Sequence, residues 1–241
     1  MQTTAFHSQI QTIDLQGPAG RLEALLNTGA ADAPFAALVC HPHPLFGGTM
    51  HNKVVYNTMK VFSGFGLPVL RFNFRGAGLS EGAHDNGIGE QEDVRAAVDW
   101  LEERFGKPIL FAGFSFGSNV GMRACCGDKR VAGLVALGLP VQAEGRSYAY
   151  SYLPQCMQPK LFLSGDHDQF GPVDAVERIV ATAPGPKRMV WIENAEHFVA
   201  GVPGSRSSPD SPGSPGSKLT EMQAALRSWL TDTFPALAAT R

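Results

Sequence analysis

Apolar and polar residues alternate over Gln9–Leu15 and again over Arg21–Thr28, either side of the turn-forming stretch Gln16-Gly17-Pro18-Ala19-Gly20. Alternation sends successive side chains to opposite faces of an extended chain, so this pattern predicts a hairpin with one buried face. After Pro34 the pattern changes. Phe35-Ala36-Ala37-Leu38-Val39-Cys40 is apolar without interruption, and similar short runs recur at Leu67–Phe74, Pro108–Phe114, Val131–Leu139, Lys160–Ser164 and Arg188–Ile192. A strand covered on both faces reads in this way. Between these runs the apolar period lengthens. Over Ile88–Phe105, Val94, Ala97, Val98, Leu101 and Phe105 share one helical face, and Glu90, Glu92 and Asp93 suit the positive end of the helix dipole. Leu219, Met222, Leu226, Trp229 and Leu230 mark a last helix over Leu219–Leu230. An antiparallel start followed by alternating strands and helices predicts an α/β fold, with a mainly parallel sheet and helices on both faces. Gly201–Ser217, rich in Pro, Ser and Gly, has little to bury and is expected to be a flexible insertion within a single domain spanning 1–241.

Composition narrows the function classes. The chain has 241 residues, 44% hydrophobic and 17% charged, and a net charge of −2. It carries no basic stripe to neutralise a phosphate backbone, so nucleic acid is not an expected partner; a small-molecule substrate is. The first residues, MQTTAFHSQI, lack the charged and apolar regions of a secretory signal. No apolar run reaches the roughly 20 residues that span a bilayer, so no membrane partner is expected. Cys40, Cys125, Cys126 and Cys156 form no metal or disulfide spacing and are expected to be reduced thiols of a cytoplasmic protein.

The sequence G-x-S-x-G can hold a serine on a sharp strand-to-helix turn, where side chains at the glycines would clash. It occurs twice. Gly78-Leu79-Ser80-Glu81-Gly82 is flanked by further turn residues, so Ser80 is read as loop chemistry. Gly113-Phe114-Ser115-Phe116-Gly117 follows the apolar run Ile109-Leu110-Phe111-Ala112 and leads into a segment that can form a buried helix. Strand, elbow and helix are the required context, and Ser115 is the candidate nucleophile. A serine hydroxyl needs a base, and the base needs a carboxylate to hold its tautomer. Only His167 and His197 follow Ser115. His197 lies just past the apolar strand Arg188–Ile192, where ligands meet a parallel sheet, and is the candidate base. His167, between two aspartates, reads as the surface of a turn. Asp166 and Asp168 both follow the strand Lys160–Ser164, and position alone does not separate them.

His41-Pro42-His43-Pro44-Leu45-Phe46-Gly47-Gly48, Arg71-Phe72-Asn73-Phe74-Arg75-Gly76-Ala77-Gly78 and Gly113–Gly117 occur in that order. Together they resemble the small bacterial α/β hydrolases, relatives of the dienelactone hydrolases and of the serine peptidases of the prolyl-oligopeptidase group. The resemblance runs from about Phe35 to His197. It implies the α/β-hydrolase fold with no large lid, and an acid at the second aspartate of a Gly-x-x-Asp turn, which falls on Asp168. Asp166 is then left to cap the turn. The only stretch where a cap could be inserted, Val141–Gln158, contains Tyr148, Tyr150 and Tyr152, which wall a pocket or pack on the surface.

A developing oxyanion needs aimed donors. One is expected from the backbone N–H of Phe116. The other should come from the loop after Phe35–Cys40, where Pro42 and Pro44 have no N–H, leaving His43, which is favoured, or Leu45. Phe46, Tyr148, Phe170 and Phe198 are candidate substrate contacts; Phe46, Phe114, Phe116, Phe170 and Phe198 suggest a small or medium apolar acyl group and are equally at home in a core. His41, His43 and His51 lack a completing carboxylate or cysteine, so no metal site and no cofactor is expected. The expected activity is hydrolysis of a carboxylic ester of a small or medium acyl group through an acyl-enzyme on Ser115. Amide or peptide cleavage of the aminopeptidase type and a non-catalytic scaffold are the alternatives. A haloalkane dehalogenase would need a carboxylate in place of Ser115, and a dienelactone hydrolase proper a cysteine.

Overall fold

The structure, a computed structural model, describes residues 8–143, 145–197 and 217–238. The expected hairpin is present as β1 (Ile10–Gly17) and β2 (Gly20–Asn27), paired antiparallel. Then follow β3 (Ala36–Cys40), α1 (Lys53–Ser63), β4 (Val69–Phe72), α2 (Gly89–Phe105), β5 (Ile109–Phe114), α3 (Phe116–Cys125) and β6 (Val131–Leu137). A small hairpin, β7 (Gln142–Ala143) and β8 (Arg146–Ser147), precedes β9 (Lys160–Gly165), α4 (Val173–Thr182), β10 (Lys187–Ile192) and α5 (Lys218–Thr233). One sheet of eight strands runs β1-β2-β4-β3-β5-β6-β9-β10. β2 meets β4 antiparallel, and every pair from β4 to β10 is parallel.

The uninterrupted apolar runs are central strands with a core on each face. In β3, Ala36, Leu38 and Cys40 enter the core under α2 and α3, while Ala37 and Val39 enter the core under α1 and α5. In β5, Ile109 and Phe111 face the first core; Leu110, Ala112 and Phe114 face the second. Each large side chain buried here is worth roughly 1.5–3 kcal/mol, so no position in these strands can turn polar without a partner. The helical stripes behave likewise: Val94, Ala97, Val98 and Leu101 of α2 lie in one core, and Leu219, Met222, Leu226, Trp229 and Leu230 of α5 in the other.

Some ends differ from the hydrophobic pattern. β4 is shorter than Leu67–Phe74 because the Phe74 N–H leaves the ladder to donate to His41 Nε2 at 2.9 Å. Between β6 and β9, where a cap could be inserted, the described residues form only the β7–β8 hairpin and a short 3-10 turn at Leu153–Gln155. No helix among the described residues is long and apolar enough to cross a membrane. The expected insertion at 201–217 lies outside the described residues apart from Ser217, whose side chain accepts from Thr220 N–H and caps α5.

Candidate active site

Three strand ends converge on one spot. At the end of β5, Ser115 turns the chain into α3 with φ 54 and ψ −121, a conformation that L-residues rarely hold. The turn is fixed from both sides. Ser115 N–H donates to Leu137 O of β6 at 2.8 Å, and Ser115 O accepts from Ser118 N–H at 2.8 Å and Ser118 Oγ–H at 2.6 Å. The flanking glycines are required by packing: a Cβ at Gly113 would enter the backbone of Gly117, and a Cβ at Gly117 would enter the carbonyl of His41.

Beyond β9, Asp168 is buried at 4% exposure, and its Oδ1 accepts from Phe170 N–H at 2.8 Å and Gly171 N–H at 3.3 Å. Asp168 thus caps its own turn. Asp166, expected to do so, instead accepts from Ala195 N–H at 3.3 Å and pairs with the exposed His167 at 2.8 Å. His167 N–H in turn donates to Ala195 O at 3.0 Å, so the loop after β9 is fastened to the loop after β10. That fastening sets His197 between the other two. Its Nδ1 lies 2.7 Å from Asp168 Oδ2 and its Nε2 lies 2.8 Å from Ser115 Oγ. The carboxylate accepts, so the proton is on Nδ1 and Nε2 is bare to accept the serine proton. Phe114 and Phe170 flank the ring at centroid distances of 5.1 and 4.7 Å.

Ser80 plays a different part. Its hydroxyl donates to Asn73 O at 2.6 Å and accepts from Glu23 N–H at 2.9 Å, tying the loop after β4 to β2.

The loop after β3 forms the opposite wall. His43 begins a 3-10 turn at Pro44–Phe46, and Leu45 N–H points at His43 Nδ1 at 3.2 Å. His43 Nε2 lies 2.7 Å from Arg146 Nη1. A neutral imidazole has one bare nitrogen, so these two donors compete for His43. The ring stays neutral: burial, with the nearby His84 and Arg146, pushes its pKa down to about 4. The backbone N–H groups of His43 and Phe116 have no acceptor among the described residues.

A cavity of about 210 Å³ opens over Ser115 and His197, walled by His43, Phe46, Tyr148 and Phe170. Among the expected substrate contacts, Phe46, Tyr148 and Phe170 face it, and Phe198 lies outside the described residues. Tyr150 and Tyr152 pack inward instead, the first donating to Pro140 O at 2.6 Å. Phe114 and Phe116 are buried. Asn52, which caps α1, and Ala143 of the β7–β8 hairpin also line the cavity; neither carried a signal in the sequence. The four cysteines are free thiols.

His41 lies beneath this loop and couples it to pH. Its Nδ1 donates to Pro42 O at 2.6 Å, its Nε2 accepts from Phe74 N–H, and burial pushes its pKa from 6.5 down to about 4. The unfolded chain takes up this proton near pH 6.5, the folded protein only near pH 4. Stability is therefore whole above pH 6.5 and falls as pH drops from 6.5 to 4, by about 3 kcal/mol for this residue. Urea unfolding at pH 7, 5.5 and 4.5 should show the decline, and His41→Gln should flatten it. An unchanged slope in the variant would contradict this assignment.

Comparison with known proteins agrees with this architecture. Residues 46–210 match the model of the alpha/beta hydrolase domain family. An uncharacterized protein of Rickettsia prowazekii is 37% identical over 193 residues, covering 77% of this chain and 81% of that protein. An alpha-beta serine hydrolase homologue from Coxiella burnetii superposes with a TM-score of 0.76 at 33% identity, over 94% of this chain and 99% of that one. A lidless α/β serine hydrolase from Xanthomonas campestris gives a TM-score of 0.73 at 28% identity, over 95% and 96% of the two chains. The chain belongs to the alpha/beta hydrolase family.

Proposed function

We propose that the protein is a serine hydrolase that cleaves carboxylic esters through an acyl-enzyme on Ser115, with His197 as base and Asp168 orienting it. The observation that carries this reading is the unbroken relay Ser115 Oγ–His197 Nε2–Asp168 at 2.8 and 2.7 Å, on the floor of an open cavity. Ser115 Oγ bonds to the ester carbonyl carbon as its proton passes to His197 Nε2. The tetrahedral oxyanion then collapses, the bond to the alkoxy oxygen breaks, and His197 returns the proton to the leaving alcohol. Water repeats the sequence on the acyl-enzyme and releases the acid.

Phe116 N–H is assigned as one oxyanion donor. His43 N–H is the second, because the Leu45 amide already points at the His43 ring. An ester of a small or medium acyl group fits the aromatic walls Phe46, Tyr148 and Phe170. Aminopeptidase action is disfavoured, since no carboxylate among the described lining residues could hold a peptide's α-amine.

Stopped-flow hydrolysis of p-nitrophenyl butyrate tests this. The expected trace is a burst of p-nitrophenol equal to the enzyme concentration, or steady turnover where deacylation is fast, with the matched butyranilide inert. Cleavage of the anilide at a comparable rate would overturn the ester assignment.

A further inference from the structure

A second cavity, of about 230 Å³, adjoins the catalytic one, and His43 and Tyr148 belong to the walls of both. Arg123 of α3 and Arg146 of β8 line it with the neutral amides Asn86, Gln91 and Asn119. No aspartate or glutamate is among its described lining residues; Glu90 sits behind His84, accepting from Asp85 and Gly87 N–H at 2.8 Å each.

The two guanidiniums are held by neutral groups of the described residues. Arg123 donates to Ala149 O at 2.9 Å and lies 5.2 Å from the Tyr152 ring centroid. Arg146 Nη1 lies 2.7 Å from His43 Nε2, and its guanidinium lies 5.7 Å from the Phe46 centroid. Neither has a carboxylate partner among the described residues, whereas Arg75, Arg130 and Arg188 pair with Asp93, Asp99 and Asp232. A guanidinium presents five donors, and among the described residues most on both have no acceptor. Arg146 and Leu45 N–H face the two ring nitrogens of His43, of which only one is bare, so the Arg146 guanidinium has donors left for an anion. Two aromatic-backed guanidiniums that line one cavity, with no carboxylate partner among the described residues, offer a carboxylate the charge and the donors it needs.

We propose that this cavity takes a free carboxylate carried by the substrate, so that the preferred ester is the half-ester of a dicarboxylic acid. The inference rests on the Ser115 hydrolase reading and names its substrate class. Ester carbonyl and carboxylate belong to one molecule: the first is bound over Ser115, the second lies between Arg123 and Arg146.

Mono-p-nitrophenyl esters of glutaric, adipic and suberic acids are to be compared with neutral p-nitrophenyl esters of equal chain length. At one length or more, kcat/KM should favour the acid by about tenfold or more, through KM. The ratio of charged to neutral kcat/KM should fall by the same factor in Arg123→Gln and in Arg146→Gln. Neutral esters equal to or better than the acids at every length, or a ratio unmoved by Arg123→Gln, would overturn the anion site and leave the hydrolase reading standing. Calorimetry of adipate binding to Ser115→Ala reads the site without turnover. Heat that is lost on adding Arg123→Gln supports it even if no ester is cleaved; absence of binding overturns it. Failure of all esters together with an unreactive Ser115 would count against the hydrolase reading alone.

Discussion

Replacing Ser115 with alanine is expected to lower kcat for ester hydrolysis by about 10⁶-fold, the scale on which serine hydrolases lose activity when the nucleophile is removed. Without Oγ no acyl-enzyme forms, and the remaining donors support only slow direct attack by water. The loss should be chemical rather than structural. Ser115 Oγ has His197 Nε2 as its hydrogen-bond partner, so alanine removes one contact near a cavity and leaves the elbow's backbone bonds in place. Urea unfolding should accordingly shift by about 1 kcal/mol or less. A variant retaining more than a thousandth of the activity would mean that another group carries the reaction.

Asp168→Asn should cost about 10⁴-fold in kcat, for a reason written in its hydrogen bonds. Asp168 Oδ1 accepts from two backbone amides, Phe170 and Gly171, while Oδ2 accepts from His197 Nδ1. Asparagine can satisfy the amides only by directing its carbonyl oxygen at them. Its NH₂ group then faces His197 and makes Nδ1 an acceptor. The ring proton moves to Nε2, which now donates toward Ser115 and cannot take its proton. Binding and fold are little affected, so the loss should fall in kcat with KM nearly constant. Asp166→Asn is the matched comparison: Asp166 touches Ala195 and His167, not His197, and its substitution should leave the rate within a few-fold of the parent. Equal losses in the two variants would contradict the assignment of the acid.

The sequence carried the parts of this site that depend on local rules. A nucleophile elbow needs a buried strand before it and a helix after it, and both were readable around Ser115 as an apolar run and a helix-compatible segment. The order Ser, Asp, His follows from which strand ends precede which loops. The central strands were legible because residues buried on both faces leave uninterrupted apolar runs. Asp166 and Asp168 could not be separated by such rules, since both follow β9 and differ only in which way the turn aims them. The walls of the cavity were less legible still. Tyr148, Tyr150 and Tyr152 occupy alternate positions in one segment, yet Tyr148 lines the cavity and the others pack inward. Arg146 reaches His43 across 103 positions from a hairpin with strands of two residues, too short to leave a period. Long-range side-chain contacts of this kind have no sequence signature.

Two features of the fold explain why the chemistry gathers where it does. Parallel strands end on one edge, so β5, β9 and β10 deliver Ser115, Asp168 and His197 to the same rim although they are separated along the chain. The loops there are braced by backbone bonds, notably His167 N–H to Ala195 O and Ser115 N–H to Leu137 O, and this keeps the relay at hydrogen-bond distance before any substrate arrives.

The relay with His197 and Asp168 should make Ser115 an activated nucleophile. The most direct measurement is treatment of the folded protein with a fluorophosphonate probe, followed by mapping of the adduct by mass spectrometry. A single adduct on Ser115 is expected, formed rapidly near neutral pH, absent from Ser115→Ala and strongly slowed in Asp168→Asn. A folded protein that stays unlabelled, or one labelled at Ser80 instead, would contradict it.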